Sequence, residues 1–332
     1  MEGNPFQRIN KFGYSRRLSQ ISSIQAPRLS SSSETTHIRH IQSKLAENGI
    51  VKISLGFPDS KSEYLERLIR NLHQYHGHGL PIDHSASRGW FWDVRPTATT
   101  AKKELPSIAS SHTSSPQARS ETREAFPWHT DCSYEENPPR YFALQVLQHD
   151  RCNGGTTSVL QVDQIVKYLS PSTLASLSKP EFAIKVPPEF IKKSDEREIV
   201  GSLLDISGQN PGTMSAQLRF REDIIFPLTN EASSALNEFS SVLHGPEIKG
   251  EIVQLTPEIL PRGSVVLIDN RRWLHARKYA SPIAQLVVMR CVTNMENSEV
   301  NDPERHLRRV RWDATPFPSI AELQPNSAVV NA

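Results

Sequence analysis

The segment FPWHTDCSYEENPPR, from Phe126 to Arg140, sets a histidine and an aspartate two positions apart, with aromatic residues before them and paired prolines after. In an extended strand, side chains two apart leave the same face. His129 and Asp131 would then offer a nitrogen and an oxygen to one metal ion. A third ligand has to come from elsewhere, and the best placed is His275 in SVVLIDNRRWLHARKY, where an apolar strand runs into a polar turn and then the histidine. Two histidines and one carboxylate form a facial set that leaves three positions open and suits non-haem Fe(II). The same donors also serve other metals, including the zinc of a hydrolase. In a chain with 12 histidines an HxD pair also arises by chance, so the metal site needs independent support.

Two other segments bear on it. In QLVVMRCV, strand alternation puts Leu286, Val288, Arg290 and Val292 on one face, so Arg290 is the single charge in an apolar run. A guanidinium in such a strand is costly unless an anion meets it. Its planar fork suits a carboxylate, held by two parallel hydrogen bonds. A structural ion pair with a protein carboxylate is the competing explanation. In NGGTTSVL the glycines allow a tight turn, after which Thr156 or Thr157 opens a strand with a hydroxyl free for a ligand carboxylate. A turn alone would explain the same residues.

The elements that must position these groups are legible in outline. A chain of 332 residues buries a substantial core. With 38 basic and 36 acidic residues the net charge is +2, which gives no footprint for nucleic acid or a membrane surface. No apolar run reaches the roughly 18 residues of a membrane helix. The cysteines, Cys132, Cys152 and Cys291, are odd in number and form no C-x-x-C pair. That argues against a disulfide framework and for a reducing compartment, hence a cytoplasmic expectation. Residues 1–35 read as a disordered or targeting tail. They carry Arg8, Lys11, Arg16, Arg17 and Arg28 with much serine, so a mitochondrial presequence is the alternative.

A short helix is expected around Ile38–Glu47, then the strand IVKISL. The next helix starts at a capping box of Ser60 and Glu63 and has Tyr64, Leu65, Leu68, Ile69 and Leu72 on one face. The Ser/Thr-rich stretch 97–124 is long for a connection and is the candidate lid. From Tyr141 on, short strands dominate (YFALQVLQ, TTSVLQV, FAIKV, SVVLID, QLVVMRCV), interrupted by a helix near Asn230–Leu243. The class is mainly β, a sandwich or barrel with flanking helices. Trp92, sharing strand parity with Trp90, is a candidate pocket residue, although core tryptophans are commoner. Ser133 follows the ligands closely enough to approach a substrate. Arg219 in QLRFRED would meet a substrate carboxylate or pair with Glu222 or Asp223. Cys132 should point away from the metal, into the core.

Taken together, these residues resemble the taurine/2,4-D dioxygenase (TauD/TfdA-like) family of Fe(II)/2-oxoglutarate oxygenases, with clavaminate synthase as a relative. Trp128, His129, Thr130, Asp131, Ser133 and Tyr134 match the first motif and Pro138 and Pro139 the next. Gly154, Gly155 and Thr157 follow, then the distal His275, with Arg290 15 residues beyond it. The resemblance implies a double-stranded β-helix (jelly-roll) core over residues 36–296, leaving 297–332 as a C-terminal extension. It implies that His129, Asp131 and His275 bind Fe(II), and that Thr157 and Arg290 hold the distal carboxylate of 2-oxoglutarate. Taurine-type members carry a second arginine 11 residues after the distal histidine, where this chain has Leu286, so a sulfonate substrate is not implied. The implied reaction consumes O2 and 2-oxoglutarate and releases succinate and CO2. It hydroxylates a C–H bond of a small organic molecule, with desaturation as another outcome. An amino-acid-derived or carboxylated substrate is the modest preference. Two rivals remain at this point: a jelly-roll protein that only binds its ligand, and a metal-dependent hydrolase using the same triad.

Overall fold

The structure, a computed structural model, describes residues 21–83, 89–95, 122, 125–151, 155–191, 197–206, 215–277, 302 and 304–318. Two facing sheets organise it. The larger has six strands in the order β1 (Ser22–Ala26), β2 (Ile50–Leu55), β13 (Val265–Asp269), β5 (Pro139–Gln148), β15 (His306–Ala314) and β3 (Trp92–Val94). The smaller has four, in the order β12 (Val253–Leu255), β6 (Thr157–Gln161), β14 (Trp273–Arg277) and β4 (Phe126–His129). Outside them lie a three-stranded sheet of β7 (Phe182–Lys185), β8 (Glu198–Gly201) and β11 (Ile225–Pro227), and the short pair β9 (Leu204–Asp205) and β10 (Gln217–Leu218). All pairings are antiparallel except β1 with β2.

Strand alternation divides the core into layers. Between the two main sheets pack Ile50, Phe142, Leu144, Val159, Val266, Ile268 and Trp273. The other face of the large sheet, with Val51, Ala143, Leu267, Val310 and Trp312, is covered by two helices, Thr35–Asn48 and Glu63–His76. The outer face of the small sheet, with Leu160, Leu274 and Ala276, packs against Phe239 of the helix Asn230–Leu243. The expected stripe of Tyr64, Leu65, Leu68, Ile69 and Leu72 is fully buried, and each aliphatic member contributes about 1.5–3 kcal/mol by its burial. Among the described residues, no helix is long and apolar enough to cross a membrane.

Three expectations change. The tail expected over 1–35 gives way to structure from Ser22: Ile24 and Ala26 alternate with polar residues, so β1 adds to the edge of the large sheet and buries that pair. The second helix is capped by Asp59 rather than Ser60, because its carboxylate accepts the N–H groups of Glu63 and Tyr64 at 2.9 Å each. The extension assigned to 297–332 contains β15, an interior strand between β5 and β3. Leu307, Val310 and Trp312 supply the apolar surface that draws it in. The strand expected at QLVVMRCV lies outside the described residues, as does all of the candidate lid 97–124 except Thr122.

Candidate active site

His129 ends β4 and His275 lies in β14, and the two face each other in register across that pair, with ring centroids 4.0 Å apart. Asp131 Oδ1 lies 3.9 Å from His129 Nε2 and 3.7 Å from His275 Nε2. Ligand atoms of all three residues fall within 4.8 Å of one another, and all three residues are buried. The convergence does not come from strand alternation. β4 stops at His129, and residues 131–134 form a turn in which Cys132 takes a left-handed conformation, φ 54°. That turn brings Asp131 back toward the histidines. Asn270, at the bend between β13 and β14, fixes it: its Oδ1 accepts the Asp131 N–H at 2.7 Å, and its Nδ2 donates to the carbonyls of Asp131 and Pro139 at 3.0 and 2.8 Å.

The donors are prepared for a cation. His129 Nδ1 donates to the Pro127 carbonyl at 2.8 Å, which leaves the Nε2 lone pair facing Asp131. Burial and the neighbouring His275 hold the His129 pKa well below its ordinary value, against the weaker pull of Asp131, so the ring is neutral. Burial alone would raise the Asp131 pKa. Arg309, with its Nη1 2.9 Å from Oδ1, together with His275 and Arg311, outweighs burial and holds the carboxyl well below the usual range. Asp131 Oδ2 and His275 Nδ1 are buried with no hydrogen-bond partner among the described residues. A buried set of two imidazoles and a carboxylate, with oxygen to spare, fits a divalent transition metal. Phe126 stacks on His129 and Phe142 leans on His275, with centroids 3.8 and 4.6 Å apart, so the histidines sit against apolar walls.

Thr157 opens β6 beside the triad and lines a cavity of about 50 Å³ together with His129, His275, Arg305 and Arg309. A neighbouring space of about 40 Å³ is lined by Thr157, Arg305, His149 and Gly155. Gly155 is left-handed, φ 62°, as the tight turn requires, and its carbonyl accepts from Arg305 Nη2 at 3.0 Å. The other guanidinium nitrogen, Nη1, is buried with no partner among the described residues. Burial pushes the Arg305 pKa down to about 10, against the opposing charge of Asp150, and it remains a cation at neutral pH. Arg290 lies outside the described residues. Arg305, which the sequence reading missed, is the guanidinium the structure places beside Thr157. A signal was available in RHLRRVRW, whose alternation puts Arg305, Leu307, Arg309 and Arg311 on one face and Val310 and Trp312 on the other.

The remaining candidates fare differently. Trp92 is buried in the layer between the sheets, paired in register with Arg309, whereas Trp90 precedes β3 and packs on the helix side. The two tryptophans therefore do not share a face. Ser133 is fully buried in the turn after Asp131. Among the described residues Arg219 pairs with neither Glu222 nor Asp223. It is buried and donates to the carbonyls of Glu136 and Phe317 at 3.2 and 2.9 Å, while Asp223 pairs with Arg221 and Glu222 with His244. Burial, with Arg271 nearby, lowers its pKa to about 10. Cys132 belongs to the core as expected, but its thiol also lines the space beside Asp131, in contact with Arg311.

The sequence profile described as "Taurine catabolism dioxygenase TauD, TfdA family" matches residues 19–199. The chain belongs to this family. The match spans His129, Asp131 and Thr157, while His275 and Arg305 lie beyond it and join the site through the fold. L-asparagine oxygenase of Streptomyces coelicolor is 25% identical over 155 residues, which is 47% of this chain and 42% of that protein. Among solved structures, asparagine oxygenase in complex with Fe(II), 2S,3S-3-hydroxyasparagine and succinate superposes with a TM-score of 0.56 at 18% identity, covering 85% of this chain and 80% of that one. The non-heme iron oxygenase OrfP in complex with Fe, succinate and (3S)-hydroxy-L-Arg gives 0.55 at 17% identity, covering 90% and 85%. These likenesses establish the jelly-roll oxygenase fold.

Proposed function

We propose that this protein is an Fe(II)- and 2-oxoglutarate-dependent oxygenase that oxidises a C–H bond of a small carboxylated molecule, an amino acid or a derivative of one. The observation that carries the reading is the pairing of a buried His–Asp–His triad with a second buried cation, Arg305, whose Nη1 has no partner among the described residues next to Thr157. An anion seat beside a metal triad is what a metal-chelated dicarboxylate co-substrate needs, and this favours the oxygenase over the hydrolase and binding readings.

His129, Asp131 and His275 would hold Fe(II), and the bound metal with 2-oxoglutarate and O2 would supply the oxidising chemistry, with succinate and CO2 as co-products. The chain's own groups do the rest. Pro127 and Asn270 orient His129 and Asp131 before any ligand arrives, so little reorganisation is needed on binding. Arg305 and Thr157 would take the distal carboxylate of the co-substrate by a charge-assisted hydrogen bond and a hydroxyl. Arg305 takes in this reading the role that the sequence pattern suggests for Arg290. Phe126, Phe142 and Leu144 line the 50 Å³ space and limit water there.

On the other side of Asp131, Arg221, Arg309, Arg311 and Glu189 line a third space of about 30 Å³. Three guanidinium groups and the Glu189 carboxylate stand at its wall beside Asp131, and they suit the carboxylate and ammonium ends of an amino acid. The relatives support that choice, since asparagine oxygenase and OrfP are described with hydroxylated asparagine and arginine.

The test is an anaerobic titration of 2-oxoglutarate into the Fe(II)-loaded protein. A weak visible metal-to-ligand charge-transfer band, lost in His275→Ala and not formed with Zn(II), is the expected result, followed by substrate-dependent succinate release in air. Bound iron without that band would sink the reading and favour a hydrolase or a binding protein.

A further inference from the structure

Arg305 is held from behind by a compact knot outside the metal site. Asp302 is 1% exposed. Its carboxylate accepts from Arg151 Nε and Nη2 at 2.6 and 3.0 Å and from the N–H groups of Arg151 and Glu304 at 3.1 and 2.9 Å. Its own N–H donates to Asp150 Oδ2 at 3.2 Å, and its carbonyl accepts the Arg305 N–H at 3.1 Å. The Arg151 hydrogen bond also holds the Asp302 carboxyl far below the usual carboxylate range, so the pair is ionic at any working pH. Residues 150–151 follow β5, and Arg305 immediately precedes β15, so the knot ties the end of one strand to the start of its neighbour. The guanidinium is then steadied at its far end by the Gly155 carbonyl.

We infer that Asp302 and Arg151 form a positioning pair that sets the reach of Arg305 toward the co-substrate carboxylate. The inference rests on the reading of Arg305 as the residue that holds that carboxylate. Its physical basis is leverage. Arg305 carries a long side chain, and a small change in its backbone direction moves the guanidinium by an ångström or more. A charge-assisted hydrogen bond to a carboxylate tolerates little of that. Arg151 suits the task without being part of the core: its side chain is 56% exposed, and it also reaches Glu304 at 2.7 Å. Only the Arg151 end of the pair is exposed; with its guanidinium removed, the buried Asp302 carboxylate still accepts the N–H groups of residues 151 and 304, so the loss should act on binding with a modest cost to folding.

The test uses the full chain loaded with Fe(II) under anaerobic conditions, with the dissociation constant of 2-oxoglutarate as the readout. Pyruvate, a 2-oxo acid that lacks the distal carboxylate, serves as control ligand, and the thermal midpoint reports folding. Arg305→Met should weaken 2-oxoglutarate on the order of 10²-fold. Asp302→Asn and Arg151→Met should each weaken it on the order of 10-fold. The double variant should be no weaker than Asp302→Asn alone, because both act through one contact. Pyruvate affinity should be unchanged in all of them, and Arg151→Lys should recover part of the loss. Wild-type affinity in both Arg151→Met and Asp302→Asn, with Arg305→Met still impaired, would overturn the positioning role and leave the Arg305 reading standing. Wild-type affinity in all three would overturn both. If Asp302→Asn fails to fold, the exposed Arg151→Met decides the question.

Discussion

The metal triad and the anion seat lie side by side but are built in opposite ways. The triad is assembled within one sheet: two histidines in register on adjacent strands, and an aspartate on the turn that ends one of them. The anion seat joins Thr157 to Arg305, two residues brought together only by the pairing of the two main sheets and by a knot at Asp302. A site made within one pair of strands tolerates insertions elsewhere in the chain. A site made across sheets depends on where the last strand enters.

The largest effect that would sharpen this contrast is loss of a triad member. His275→Ala or Asp131→Ala should abolish Fe(II) binding and reduce turnover at least about 10³-fold, with the fold retained by circular dichroism. Retained iron affinity in either variant would remove the triad from the argument. Next comes the anion seat. Arg305→Met should raise the apparent KM for 2-oxoglutarate on the order of 10²-fold while Fe(II) affinity stays within a few-fold, and Arg290→Met should leave that KM near wild type. The reverse ranking would return the role to Arg290.

Asn270→Ala addresses the support of the triad and should have a smaller effect. It leaves the Asp131 N–H and two carbonyls buried without their partner, at a cost of about 2–4 kcal/mol in denaturant unfolding. Iron affinity should fall about 10–100-fold. An unchanged iron affinity would mean that the turn holds Asp131 in place without Asn270.

The smallest effect concerns the strand that carries Arg305. His78 packs behind β15, accepting from Trp312 Nε1 at 3.1 Å through Nδ1 and meeting Gln42 at 2.8 Å through Nε2. Burial lowers its pKa from 6.5 to about 4, so the folded protein keeps this ring neutral. The stabilisation is fully present above pH 6.5 and is lost as pH falls through that window toward 4. The loss should be on the order of 1–3 kcal/mol by urea unfolding, and His78→Gln should flatten that part of the pH profile. A profile that does not change in His78→Gln would assign the acid sensitivity elsewhere.

These contrasts also explain what was legible in the chain. His129, Asp131 and His275 stood out because their types and local contexts carry the chemistry. Even so, the reason they converge was misread: strand alternation was assumed where a left-handed Cys132 makes a turn. The buried helix face from Tyr64 to Leu72 was readable from its 3.6-residue period, and the helix Asn230–Leu243 was placed at its observed bounds. Arg305 lies far beyond His275 in the chain, and only the pairing of β15 with β5 shows it next to Thr157. Arg219 failed for a related reason: alternation showed it to be strand-like, but only packing shows that its partners are backbone carbonyls.

The position of β15 has a consequence for how the molecule is made. Until residues 305–314 leave the ribosome, β5 has β13 on one side and a bare row of amides and carbonyls on the other. A nascent chain would hold that open edge while the described strands from β6 to β14 are made, a state prone to pairing with other chains. Closure of the sheet, burial of Trp312 and delivery of Arg305 then become one late event, so a chain cut short before residue 305 keeps the open edge and lacks this guanidinium.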